Sequence, residues 1–161
     1  EHGRYQVVFG HRRLRAAREL GRSVRAVVKP IDDRTHVIAQ GQENSARANL
    51  TFIERAAFAK RLQDLGYDRQ VISEALVTNA AGLSKMLSVT ERIPSDIIDL
   101  IGDAPSVGRE RWVEFSLLAG KSANEDKLKS LVAADGFAGM SSDEKFLFLY
   151  SGLKKSESRP P

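Results

Sequence analysis

The 161-residue sequence contains no cysteine. That excludes a disulfide framework and any thiolate metal site, and it suits a reducing cytoplasm. Its three histidines, His2, His11 and His36, lie far apart without ligand-like spacing, so no metal site is expected. No apolar run approaches the ~20 residues of a membrane-spanning helix, and nothing resembles a secretory signal. No membrane partner is therefore expected. Aromatic residues make up only 7% and Trp112 is the single tryptophan, yet 42% of the chain is hydrophobic, enough to build a core. Acidic residues are scarce at the start. Residues 1–30 hold eight Arg or Lys against two Glu, a net +6; since the whole chain carries +4, residues 31–161 sum to −2. A basic lobe precedes a nearly neutral body, and such a lobe favours a polyanion.

In chain order, YQVVF at Tyr5–Phe9 has the β-branched and aromatic content of a short strand, ended by Gly10. HRRLRAARELG then reads as a helix with Leu14, Ala17 and Leu20 in line and Gly21 as its stop. Val24–Lys29 reads as a second strand closed by Pro30. A strand, a glycine and an Arg-bearing helix N-terminus make a phosphate cradle plausible, with a solvated basic helix on a small sheet as the plainer alternative. From Asp32 onward only helices are expected. Asp32 or Thr35 caps one through VIAQGQENSAR, which Gly41 weakens. Leu50–Leu65 carries a capping box at Thr51 and Glu54, a face of Phe58, Leu62 and Leu65, and a stop at Gly66. After Pro94 come a short helix at Asp96–Ile101, the turn-rich GDAPSVG, and Arg109–Ala119 with Trp112, Phe115 and Leu118 or Ala119 on one side. Trp112 reads as a core anchor. Glu125–Ala134 and a helix capped by Ser141 or Ser142 complete the body, followed by a tail, KKSESRPP, expected to be mobile. No internal repeat is present.

The stretch from Asp68 to Val89 organises the rest. Ile72 and Leu76 share one helix face, Leu83, Met86 and Leu87 share another, and Thr78 and Asn79 stand at the joint, placed to cap the second helix. This predicts a helix, a tight turn and a second helix whose outside carries Asn79, Ala80, Ala81, Ser84 and Lys85. Small, polar and basic residues suit entry into a DNA major groove. Pairs of short helices also occur in ordinary helical domains. Val77 stands where such units usually have a glycine, and Ser73 where alanine is usual.

Three stretches together resemble the ParB-type partition proteins. YQVVFGHRRLRAARELG resembles that family's glycine and paired arginines leading into an alanine-rich helix. ENSARANLTFIERA, Glu43–Ala56, resembles its Glu-Asn-x-x-Arg signature, and the two-helix unit follows at the expected distance. GHRRLRAAREL, QGQENSAR and GRERW look most like the RepB branch of the repABC plasmids of rhizobia and agrobacteria. The resemblance implies a mainly α fold: a remnant of a small α/β ParB N-terminal domain over residues 1–42, an all-helical domain with a helix-turn-helix over 43–153, and a tail over 154–161. It implies a centromere-binding protein that docks on palindromic double-stranded DNA as a homodimer. Its partner would be a ParA-type ATPase, RepA in this branch, in the bacterial cytoplasm, associated with the plasmid or nucleoid.

DNA contacts are expected from Thr78, Asn79, Ala80, Ala81, Ser84 and Lys85, with Arg109, Arg111 and Lys121 as flanking candidates. The family's CTP pocket with magnesium would fall on Gly10, His11, Arg12, Arg13, Glu43, Asn44 and Arg47. His11 stands where many members have a glutamate, and an imidazole cannot reproduce a carboxylate's bonding. The first residue is Glu1, and the family's earlier nucleotide motif and C-terminal dimerisation domain are not found. A piece of a longer protein, itself needing no cofactor, is therefore expected. No catalytic residue is assigned, since no nucleophile and base pair is evident. The alternatives are a repressor or nucleoid-occlusion protein of the same superfamily, or a nucleotide-using enzyme on the same N-terminal fold.

Overall fold

The computed structural model describes residues 5, 7, 10–28, 30, 32–46 and 50–157, with the backbone alone for His11, residues 43–46, 156 and 157. Among these residues the chain is mainly helical. The helices are α1 (His11–Glu19), α2 (Asp33–Ala46), α3 (Phe52–Asp64), α4 (Arg69–Ala75), α5 (Ala80–Arg92), α6 (Ser95–Ile101), α7 (Arg109–Ala119), α8 (Glu125–Val132) and α9 (Ser142–Glu157), with single 3₁₀ turns at Ser122–Asn124 and Phe137–Gly139. No described residue lies in a strand.

The strand expected at Val24–Lys29 is therefore corrected, and of the one expected at Tyr5–Phe9 the described residues show no strand. Tyr5, Val7 and residues 24–28 are irregular, while Gln6, Val8, Phe9 and Lys29 lie outside the described residues. A β-branched run forms a strand when a neighbour completes its ladder and something covers a face. Here Val24, Val27 and Val28 are exposed. The apolar stripe expected along α1 is also largely bare, with Leu20 71% exposed and Leu14 38%. Gly21, at φ +62°, does turn the chain, and the Arg22 amide donates to the Ala17 carbonyl at 2.8 Å.

The helical body begins with caps that the sequence announces. Asp32 accepts from the Thr35 amide at 2.6 Å and starts α2. Thr51 and Glu54 exchange the two bonds of a capping box on α3, and Ser141 and Glu144 do the same on α9. A further cap, one not read from the sequence, is Asp68, which accepts from the Val71 amide at 2.9 Å at the start of α4.

The core forms where α3 and α7 pack on α5, with α4 beside them and α9 against α7 and α8. On α3 the buried face is Ile53, Ala56, Ala59 and Leu62. The expected face of Phe58, Leu62 and Leu65 was set one position round: Phe58 is half-buried, and Leu65, already at the C-cap, is 67% exposed. Two fully buried alanines allow close helix approach, so small residues define this face more than large ones. Trp112 is buried against Phe146, with ring centroids 4.7 Å apart, and Phe115 meets both rings edge-on. Its indole Nε1 is buried without a hydrogen-bond partner among the described residues, a cost that the ring packing must offset. α9 continues to Glu157, into the stretch expected as a tail; residues 158–161 lie outside the described residues.

Gly41 has a different role from the one expected. It lies in α2 where that helix crosses α4, and a Cβ there would stand 2.7 Å from the Ala75 Cβ and 2.9 Å from the Ala75 carbonyl oxygen. The glycine allows the two backbones to meet. Gly41→Ala is expected to lower stability by about 1–3 kcal/mol through overpacking, despite alanine's better helix propensity. Urea denaturation checks this; a midpoint at or above that of the parent would contradict it.

Candidate nucleic-acid interface

α4 and α5 are joined by the turn Leu76–Asn79. The end of α4 is closed by two crossed bonds. The Val77 amide donates to Glu74 at 3.3 Å and the Thr78 amide to Ser73 at 3.0 Å, the pattern of a Schellman stop. The residue that must turn left-handed there is Val77, at φ +49°. A β-branched side chain is strained in that region. The turn is held from a third direction as well. The Arg55 guanidinium of α3 donates to the Leu76 carbonyl at 2.8 Å, so a terminal acceptor of α4 is satisfied by a cation. Sequence reasoning missed Arg55 because its partner is 21 residues away.

The turn sets the start of α5. Asn79 is its N-cap, and its side-chain oxygen accepts from the Gly82 amide at 2.8 Å. Its side-chain NH₂ group remains available to donate outward. Thr78, half-buried, leans over Gly82, where a Cβ would stand 2.5 Å from the Thr78 Oγ1. Leu83, Met86, Leu87 and Val89 are buried, while Asn79, Ala80, Ala81, Ser84 and Lys85 are exposed. The expected outward residues thus share one surface. The amides of Ala80 and Ala81, in the first turn, add donors to that end of the helix.

Two further side chains reach this surface. Arg69, at the start of α4, donates to the Ser84 Oγ at 2.6 Å, which brings a guanidinium onto the face of α5. On the other side, the Lys85 ammonium lies 3.4 Å from a Glu110 carboxylate oxygen, and Arg109 Nε donates to the same oxygen at 2.9 Å. The hydrogen bond from Arg109, followed by that from Lys85, holds the Glu110 carboxyl below its ordinary pKa. Because the folded value is lowered, Glu110 stays ionised further into acid, and the contact is lost only as pH falls through that lowered value. Neither Arg69 nor Glu110 was anticipated, since each meets α5 across 15 or more residues of chain.

The flanking candidates divide. Arg109 joins Lys85 through Glu110. Arg111, two positions on and so round the helix, is within electrostatic reach of Lys154 on α9. Lys121 follows the far end of α7, roughly 16 Å of helix from Arg109. That end meets the end of α5, where a Cβ on Gly120 would lie 3.1 Å from the Arg92 Cβ. The structure gathers Arg109 with Lys85 and leaves Arg111 and Lys121 elsewhere.

Gly10, at φ +84°, precedes α1, and Arg12 and Arg13 are exposed on its first turn. Free first-turn amides beside two guanidinium groups fit a phosphate. The side chains of His11, Glu43 and Asn44, and the whole of Arg47, lie outside the described residues. Among the described residues no cluster of His, Asp and Glu has the arrangement of a metal site, and no helix is long and apolar enough to cross a membrane.

The model of the family described as RepB plasmid partitioning protein matches residues 46–160, and that of the ParB N-terminal domain matches residues 1–45. A protein named "Putative replication protein B" from Sinorhizobium fredii is 63% identical over 153 residues, 95% of this chain and 47% of that one. A protein of the same name from Rhizobium rhizogenes is 43% identical over 154 residues, 96% of this chain and 49% of that one. "Probable chromosome-partitioning protein ParB" of Neisseria meningitidis serogroup B is 37% identical over 100 residues, 58% of this chain and 35% of that one. The chain spans about half the length of the first two relatives.

Val77 provides a test of the turn. It is 71% exposed, so replacing it loses little packing. The left-handed conformation costs an L-residue about 1–2 kcal/mol, and glycine's added unfolded-state freedom costs about 0.5–1 kcal/mol. Val77→Gly is therefore expected to stabilise the chain by about 0.5–1 kcal/mol and to raise Tm by roughly 1–3 °C. A fall in Tm on thermal unfolding would contradict the account of the turn.

Proposed function

Because the chain belongs to the RepB plasmid partitioning protein family, we propose that it binds double-stranded DNA at a palindromic partition site and reads one half-site with α5. The observation that carries this reading is the surface of α5. It is bare, small-sided, polar and basic on one side and anchored in the core on the other, behind a turn held at three points. In a helix-turn-helix arrangement α5 enters the major groove, and α4 with Arg69 lies across the backbone. Asn79 and the amides of Ala80 and Ala81 meet phosphate or base edges, Ala81 and Ser84 face the bases, and Lys85 with Arg109 meets phosphate. Two copies on a two-fold site each take a half-site. In the whole protein this bound state works with a ParA-type ATPase in replicon segregation, in the cytoplasm on the plasmid. In the full-length protein Gly10, Arg12 and Arg13 would serve nucleotide phosphates, CTP with magnesium being the ligand that the family resemblance implies there, while the present chain needs no cofactor.

Fluorescence anisotropy on a duplex from the origin region of the protein's own replicon tests the reading. Lys85→Ala is expected to weaken binding and to make the log K against log salt slope shallower by about 0.9. Changes at Ala81 are expected to alter which base pairs are preferred while leaving that slope in place. Unchanged isotherms in both variants would remove α5 from the interface.

A further inference from the structure

Glu110 is an acid placed among the cations that border the proposed reading face. One of its oxygens is shared by Lys85 at 3.4 Å and Arg109 at 2.9 Å, so three formal charges on this edge of α5 sum to +1. The position has an ordinary explanation in part, since an acid in the first turn of α7 complements that helix's N-terminus. That effect does not require the carboxylate to bridge two cations from different helices. All three groups are exposed, so the bridge is weak and exchanges readily for a competing anion.

We propose that Glu110 is a specificity-determining residue, a resident competitor for DNA phosphate that restrains Lys85 and Arg109 on non-cognate duplex. This rests on the DNA-binding reading above. Phosphate contacts supply affinity without sequence information, so two unopposed cations beside the recognition helix would hold any duplex. A carboxylate between them repels a backbone that no base contact holds in register, and keeps the cations from it. On the cognate site the contacts of α5 with base edges fix the register, and Lys85 and Arg109 turn from Glu110 to the phosphates. Discrimination is a difference of affinities, and the repulsive element lowers the wrong one more.

The test compares the parent, E110Q, the Lys85→Ala and Arg109→Ala double variant, and that double variant carrying E110Q. Each is titrated against the palindromic origin duplex and a random-sequence duplex over a range of salt. E110Q is expected to bind random duplex about fivefold tighter, with a salt slope steeper by about 0.9, and to gain less on the palindrome. The gain is expected to vanish when both cations are removed, a coupling that a merely structural role for Glu110 would not produce. Equal random-duplex affinity and slope in the parent and E110Q, with the parent still selecting the palindrome, would overturn the proposal and leave the DNA-binding reading standing. Loss of palindrome binding by E110Q would overturn it by making Glu110 a base contact. Failure of the parent to bind either duplex would sink the DNA-binding reading and the proposal together.

Discussion

α5 must be buried along one side and bare along the other, and the rest of the body is arranged to permit this. Leu83, Met86, Leu87 and Val89 fill the inner side, and the fully buried Ala56 and Ala59 let α3 lie close against it. α7 runs alongside, meeting α5 near Lys85 through Glu110 and near Arg92 through Gly120. A helix held on two sides cannot rotate to hide its polar face. Its orientation is thus fixed by packing, before any ligand is considered.

The turn ahead of α5 adds a second constraint. A Schellman stop, the Arg55 cation on the Leu76 carbonyl and the Asn79 cap all act within a few residues. Together they hold Val77 in a conformation that its side chain disfavours. Strain of this kind persists only where the surroundings over-determine it. A turn held from three sides places the first residues of α5 reproducibly, as the proposed reading role would require.

The parts of this design that were legible in the sequence are those written in local spacing. Periods of three and four gave the inner face of α5, and short-range capping signals gave the starts of α3 and α5. The single Trp was correctly placed in the core because its helical neighbours are apolar. Contacts between helices were not legible. Arg55, Arg69 and Glu110 look like ordinary surface charges until folding brings them to partners 21, 15 and 25 residues away. Gly41 looked like a flaw in a helix because the backbone it accommodates belongs to α4. The strand expected at Val24–Lys29 failed for a related reason: a β-branched run states a preference, and pairing decides whether it is realised.

Family membership and geometry meet in the proposal that the outer face of α5 touches DNA. The most direct measurement is an amide chemical-shift titration of isotope-labelled protein with a duplex from the origin region of its replicon. The account predicts the largest changes at residues 79–85 and at Arg69, Arg109 and Glu110, with the amides of Trp112, Phe115 and Phe146 nearly unmoved. Changes confined to α1, or to α8 and α9, with the outer face of α5 silent, would contradict it.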